Sequence, residues 1–204
     1  MIVLKGIDFG CVFAAAGTLN FFGNGWPYHK IYCALFDGFD FTGATLVTKT
    51  TTLNQCKGNM PLDYRFQPKE FFPDCIKVKF FKGVVLNAVG LSGPGVKTLL
   101  KYDRWQRKTK PFLISFMAVC KTKNDRIEET RRFVSLLKEE LDFFCSKVGL
   151  EINVSCPNTE HNSTELAREA IEYLKIASSL KIPLVVKLNV LISNETVKRI
   201  ADSG

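Results

Sequence analysis

Apolar residues fall along this chain in short bursts of strand length: "CVFAAAG" (Cys11 to Gly17), "GATLVTKT" (Gly43 to Thr50), "GVVLNAVG" (Gly83 to Gly90), "PFLISFMAV" (Pro111 to Val119), "LEINVSCP" (Leu150 to Pro157) and "PLVVKLNV" (Pro183 to Val190). Several are bounded by Gly or Pro, and their length predicts strands. Between the later bursts the period changes to that of a helix. "DRIEETRRFVSLLKEELDFFCSKVG" puts Ile127, Phe133, Val134, Leu137, Leu141 and Phe144 on one stripe and closes at Gly149. "STELAREAIEYLKIASSLKIP" carries Leu166, Ala170, Leu174 and Ala177, with Ser163 at its start as a candidate cap. Strands rich in Val, Ile and Leu that alternate with such helices predict an α/β fold with a parallel sheet or barrel covered by helices. The connection from Thr51 to Gln67, taken with the segment up to Lys110, is too long for a bare strand-to-helix turn, and excursions of this kind carry function. No internal repeat, low-complexity tract or domain boundary is visible, so one domain over residues 1–204 is expected.

Side chains alternate across a strand, so Glu151, Asn153 and Ser155 share one face and Ile152 and Val154 the other. The same parity sets Val185, Lys187 and Asn189 against Leu184, Val186 and Leu188, and Val47 and Lys49 against Leu46 and Thr48. Three strands therefore deliver polar residues near their carboxyl ends. Burying an amide there without a partner costs about 1–3 kcal/mol, and a lysine more. Something polar is expected in the space they face, and in a barrel that space is the bowl where reactions take place.

Composition narrows the class only a little. With 204 residues, 46% hydrophobic and 24% charged, the chain can bury one sizeable core. Lys and Arg outnumber Asp and Glu by 28 to 20, giving a net charge of +8 that allows nucleic acid, anionic lipid or phosphorylated ligands without choosing among them. The one basic cluster, "KYDRWQRKTK" (Lys101 to Lys110), reads as a solvated surface segment. Seven cysteines (11, 33, 56, 75, 120, 145 and 156) form no CxxC pair, which argues against a disulfide framework or zinc site and for reduced thiols in a cytoplasmic protein. His29 and His161 are too far apart in the sequence for a metal site or triad, so no metal is expected. There is no secretory signal and no apolar run long enough to span a membrane, so a membrane role is not expected.

Four segments, taken together, are more specific. "VTKTTTLNQCKGNMP", "LNAVGLSGPG", "INVSCPN" and "VVKLN", in this order and spacing, resemble the dihydroorotate dehydrogenases, FMN-dependent enzymes of pyrimidine synthesis, and "AAAGT" (Ala14 to Thr18) resembles their first barrel strand. The resemblance covers almost the whole chain, and "SCPN" is similar to the cytosolic class 1 enzymes, whose base is cysteine. It implies a (β/α)8 TIM barrel of FMN-dependent oxidoreductase type that oxidises dihydroorotate to orotate, with Cys156 as general base and hydride transfer to the flavin. By the same resemblance Ala16, Gly17, Lys49, Thr50, Asn153 and Lys187 contact FMN, and Lys49, Asn87, Gly90, Leu91, Asn153 and Asn158 contact substrate. It further implies a homodimer, with either fumarate as electron acceptor or NAD reached through an iron-sulfur electron-transfer subunit; nucleic acid is not an expected partner.

Two departures qualify these expectations. Family members commonly carry Asn where this chain has Gly93, which removes one substrate contact. Only five barrel strands are identifiable, near residues 12, 45, 113, 152 and 185, "NAVG" belonging by similarity to the second excursion. The family continues through three more strands with the Gly-rich loops that grip the FMN phosphate. Residues 1–204 are thus expected to be the amino-terminal portion of a dehydrogenase-like domain, about five β/α units, whose activity needs completion by another copy or another chain. Rival readings are a tRNA-dihydrouridine synthase, where the cysteine before proline typically follows Gly instead of the Ser of "SCPN", a dihydropyrimidine dehydrogenase-like flavoenzyme, and a non-catalytic barrel remnant.

Overall fold

A computed structural model of the chain describes residues 1–155 and 163–203. It opens with a small antiparallel hairpin, β1 (Val3–Leu4) and β2 (Ile7–Asp8), followed by β3 (Val12–Ala14), helix α1 (Pro27–Leu35) and β4 (Ala44–Leu46). A second antiparallel hairpin, β5 (Ile76–Lys79) with β6 (Val84–Asn87), leads into the short helix α2 (Val96–Leu100). From there strand and helix alternate: β7 (Phe112–Phe116), α3 (Lys123–Glu140), β8 (Val148–Asn153), α4 (Ser163–Ala177), β9 (Leu184–Lys187) and α5 (Asn194–Ala201).

Five of these strands run parallel, in the order β3-β4-β7-β8-β9. β3 pairs with β4, β7 with β8 and β8 with β9, while the bridges Val47 to Leu113 and Thr51 to Phe116 couple the segment after β4 to β7. They are the five strands expected near residues 12, 45, 113, 152 and 185. Among the described residues β3 and β9 each pair on one side only, and no closed barrel is formed.

The parity read from the sequence decides what each face buries. Outward, Phe112, Ile114, Phe116, Leu150, Ile152 and Val154 join Phe133, Val134 and Leu137 of α3 and Leu166, Ala170 and Leu174 of α4 in one core, with Phe116 stacked on Phe133 at a centroid distance of 3.8 Å. Each fully buried side chain of this size contributes about 1.5–3 kcal/mol. Inward, Val47, Leu113 and Val185 pack with Phe9, Phe13 and Ala16 and with Leu4 and Ile7 of the first hairpin, which closes the amino-terminal side of the strands with apolar groups. Above that floor the inward positions turn polar: Lys49, Ser115, Glu151, Asn153 and Lys187.

Several elements differ from the sequence reading. The helix expected to run to Gly149 ends at Glu140, passes through a 3₁₀ turn over Leu141–Phe143, and gives way to a strand that already includes Gly149. The glycine marks a close approach between strands: a Cβ there would lie 2.6 Å from Leu113 Cδ2 and 3.1 Å from the Pro183 carbonyl. Gly149→Ala is therefore expected to destabilise the fold by about 1–3 kcal/mol through overpacking, measured as a lowered denaturation midpoint at unchanged slope. The Lys101 to Lys110 segment is not simply solvated. Trp105 is fully buried with its indole N–H donating to the Phe21 carbonyl at 2.7 Å, and Gln106 is buried between the Leu100 carbonyl and Glu140. The 83–90 run, by contrast, lies in the excursion as expected: within it β6 is largely exposed, pairs antiparallel with β5 and stands outside the parallel row. Ser163 is the first residue of α4 and not a residue preceding it. His29 serves the start of α1, where its Nδ1 accepts from the Trp26 N–H at 3.3 Å, and burial holds its pKa below the ordinary value. No helix among the described residues is long and apolar enough to cross a membrane.

Candidate functional site

The carboxyl ends of β3, β4, β8 and β9 open into a cavity of about 430 Å³, roofed by the long excursion that follows β4. Ala16, Gly17, Lys49, Thr50, Asn87, Gly90, Leu91, Asn153 and Lys187 all line it. Nine residues picked from five separate sequence segments thus share one space. Cys156, Asn158 and His161 lie outside the described residues; Ser155, immediately before Cys156, is on the cavity wall.

At the end of β3, Gly17 takes a left-handed conformation (φ 94°) with no atom within 4 Å of the place a side chain would start, so a flat ligand can lie against bare backbone. Its carbonyl is held by the Trp26 indole N–H at 2.7 Å. Lys49 follows β4 and is only 6% exposed; its Nζ donates to the Ser92 carbonyl at 2.6 Å and lies 5.1 Å from the centre of the Phe21 ring. A buried ammonium is tolerated only with such partners.

Thr50, Ser115, Glu151 and Asn153 form one buried chain of hydrogen bonds. The Asn153 Nδ2 donates to Thr50 Oγ1 at 3.0 Å, Thr50 Oγ1 and Ser115 Oγ are 2.9 Å apart, and Ser115 Oγ donates to Glu151 Oε1 at 2.7 Å. From the other side the Asn153 Oδ1 accepts from the Ser155 N–H at 3.0 Å and its hydroxyl at 2.9 Å. With both ends held, the amide presents a fixed edge to the cavity. Burial pushes the Glu151 carboxyl pKa up, and the Ser115 hydrogen bond and the positive Lys187 pull it partway back.

On the excursion side, Gly90 and Leu91 are both left-handed (φ 65° and 59°) and the Cys56 thiol donates to the Gly90 carbonyl at 3.4 Å. A bulky residue in that conformation is strained, and such strain collects at functional sites. Gly93 pairs with Cys56 in an antiparallel bridge, and a Cβ on it would meet the Phe21 ring at 3.0 Å. Phe21 thus occupies the direction in which a larger residue 93 would project. Trp26, Tyr28, Met60, Phe71, Val85 and Val89 add apolar wall that the sequence reading did not single out. The Trp26-Pro27 pair at the start of α1 was the nearest available signal.

An apolar slot with two lysines and a fixed amide at its base suits a flat conjugated ring with a polar edge. No group of three or more His, Cys, Asp or Glu placed to hold a metal ion occurs among the described residues. The protein-family model for dihydroorotate dehydrogenase matches residues 39–203. The chain belongs to the dihydroorotate dehydrogenase family. It is 28% identical over 185 residues to the dihydroorotate dehydrogenase B (NAD(+)) catalytic subunit of Desulforudis audaxviator, covering 87% of this chain and 49% of that protein. The catalytic subunit of the same name from Geobacter metallireducens is 32% identical over 113 residues, 52% of this chain and 34% of that one. That of Caldicellulosiruptor bescii is 28% identical over 183 residues, 87% of this chain and 49% of that one. This chain therefore spans at most about half the length of the curated relatives it matches.

Family membership gives the row of five parallel strands its context, since dihydroorotate dehydrogenases are flavin-dependent oxidoreductases with a (β/α) barrel. The described residues singled out for flavin and substrate come from "AAAGT", "VTKT", "LNAVGL", "INVS" and "VVKLN", all of which reach the cavity rim.

Proposed function

We propose that this chain supplies the flavin ring site and the substrate pocket of a class 1, FMN-dependent dihydroorotate dehydrogenase, a partial (β/α) barrel over residues 1–204 that oxidises dihydroorotate to orotate. The observation that carries this reading is the convergence of Ala16, Gly17, Lys49, Thr50, Asn153 and Lys187 on one cavity whose other wall holds Asn87, Gly90 and Leu91. The donor set fits the cofactor: open backbone at Gly17 for the ring face, ammonium groups and an amide for its polar edge. FMN, when bound, supplies the hydride acceptor.

The chain's own residues do the rest. Lys49 and Lys187 place positive charge where negative charge accumulates during the reaction. Asn87, Asn153 and Asn158 have amides that both donate and accept, matching a substrate with a carboxylate and an imide-like edge. Among the described residues no acceptor takes the backbone N–H of Gly90 or Leu91, which leaves both available to a ligand. Cys156 takes a proton from one ring carbon while the hydride leaves its neighbour, and the electron pair freed by deprotonation closes the new C=C bond. The partner we propose is an electron-transfer subunit carrying an iron-sulfur centre, consistent with relatives named as the catalytic subunit of an NAD(+)-dependent enzyme; a homodimer and a cytoplasmic location belong to the same proposal.

The test is flavin spectroscopy. Protein reconstituted with FMN is expected to show a bound-flavin spectrum that dihydroorotate bleaches anaerobically. A protein that takes up no flavin, or holds flavin that dihydroorotate leaves oxidised, would make the chain a non-catalytic relative of the family.

A further inference from the structure

One buried acid has no part in the function proposed above. Glu151 is 7% exposed, points inward from β8, and lies one step below Asn153 on the same face. In the parallel register Glu151 is opposite Val185 and Asn153 opposite Lys187, so Glu151 and Lys187 are diagonal neighbours on the inward face. Lys187 lines the cavity and Glu151 does not, which puts the carboxylate beneath the ammonium as seen from the ligand. On its lower side Glu151 has Val185 opposite it on β9 and Leu113 one step down on β7, both part of the apolar floor.

A carboxylate in such a place is costly, and burial duly pushes its pKa up. Ser115 offsets part of that cost with a 2.7 Å hydrogen bond, and the hydroxyl is itself fed by Thr50 and, through it, by Asn153. The direction of this chain is fixed when Glu151 is ionised: the carboxylate only accepts, so Ser115 donates to it, Thr50 donates to Ser115, and Asn153 donates to Thr50. An apolar residue in place of Glu151 would fill the same space without that penalty, as Val185 does on the neighbouring strand.

We propose that Glu151 is a positioning residue that tunes the reduction potential of the flavin site, by opposing the positive charge of Lys187 and anchoring the Ser115–Thr50–Asn153 chain. This rests on the FMN reading of the cavity. The sign follows from charge alone: a fixed anion near the ring disfavours the negative charge that reduction brings, so Glu151 lowers the potential and limits how strongly Lys187 favours the reduced form.

The test is the midpoint potential of FMN bound to the intact protein, measured by dye-equilibrated titration for wild type, Glu151→Gln and Ser115→Ala, alongside the affinity for oxidised FMN. Glutamine keeps an acceptor for Ser115 and nearly the same volume but carries no charge. Glu151→Gln is expected to favour reduced over oxidised flavin by about tenfold, a rise of roughly 30 mV for a two-electron couple, with affinity for oxidised FMN changed less than about threefold. Ser115→Ala removes the hydrogen bond that favours the ionised carboxylate, so it is expected to move the potential in the same direction by less, and it preserves the test if Glu151→Gln does not fold. An unchanged or lowered potential in a variant that binds flavin normally would overturn the role of Glu151 alone. Wild-type protein that binds no FMN would overturn the reading of the cavity and this role with it.

Discussion

Replacing Arg126 by methionine is expected to cost about 3–5 kcal/mol of folding stability, the largest loss we anticipate from a single change far from the cavity. Arg126 on α3 and Glu169 on α4 have side chains only 6% and 7% exposed, and they meet through two hydrogen bonds of 2.9 and 2.6 Å. The guanidinium also donates to the Cys120 and Lys121 carbonyls at 3.0 and 2.7 Å, and Tyr173 donates to Glu169 at 2.5 Å. Nearby, Glu129 accepts from the Val119 and Cys120 N–H groups. The loop after β7 is thereby tied to both helices that cover the outer face. Removing the cation strands a buried carboxylate with Tyr173 as its remaining hydrogen-bond donor among the described residues and Lys123 as a more distant charge, whereas Arg126→Met combined with Glu169→Leu removes both charges and should recover most of the loss.

The pH dependence of that variant has a definite sign. Burial on its own would raise the Glu169 pKa, but the hydrogen bonds from Arg126 and Tyr173 outweigh it and hold the group below the usual carboxylate range. In the wild type its pairing therefore adds stability above the unfolded glutamate pKa of about 4.3, and that contribution is lost as pH falls through the lower folded value. Without Arg126 the burial effect prevails, the carboxyl prefers its neutral form, and acid helps the variant relative to the wild type. Denaturation curves should show the gap between the two proteins narrowing from pH 7 towards pH 4. A gap that stayed constant would mean the loss came from packing and not from stranded charge.

How much of this fold is legible in the amino-acid sequence depends on the range of the interactions. Strand positions and facing are, because period-two alternation in "LEINVSCP" and "PLVVKLNV" is local and the sheet obeys it: Leu150, Ile152, Leu184 and Val186 face the helices, while Glu151, Asn153 and Lys187 face inward. The ends of α3 are not, because Leu141 and Phe144 continue the helical stripe into a 3₁₀ turn and the short strand around Gly149 is set by contact with Leu113 and Pro183, far away in sequence. Trp105 and Gln106 look solvated amid a run of Lys and Arg residues; only tertiary partners at Phe21, Leu100 and Glu140 bury them. The second hairpin is half visible, since Ile76–Lys79 alternates apolar and basic residues without the apolar density that marks a core strand. For the site, the resemblance supplies the residues and the alternation supplies their facing, but the roof of aromatic and aliphatic side chains from the excursion follows no local period.

The second large effect concerns the proton. Replacing Cys156 by serine is expected to slow anaerobic reduction of the bound flavin by dihydroorotate by a factor of about 10²–10⁴, with FMN affinity unchanged, because in the proposed mechanism the lost group acts only on the proton of the substrate. A thiol with an ordinary pKa of about 8.5 is partly ionised near neutrality, and cationic neighbours favour the thiolate; a hydroxyl in its place is far less acidic. The other cysteines offer no obvious substitute. Cys120 is pushed up to about 11 by burial and by its hydrogen bond to Glu129, Cys75 is raised by burial, the Cys56 thiol donates to the Gly90 carbonyl and does not line the cavity, and Cys11, Cys33 and Cys145 are exposed and do not line it either. Stopped-flow reduction across pH separates the two sides of the mechanism. If Cys156 is the base, the wild-type rate rises with pH through a thiol titration that the serine variant lacks, whereas equal rates and equal profiles would remove Cys156 from the chemistry while leaving the flavin site intact.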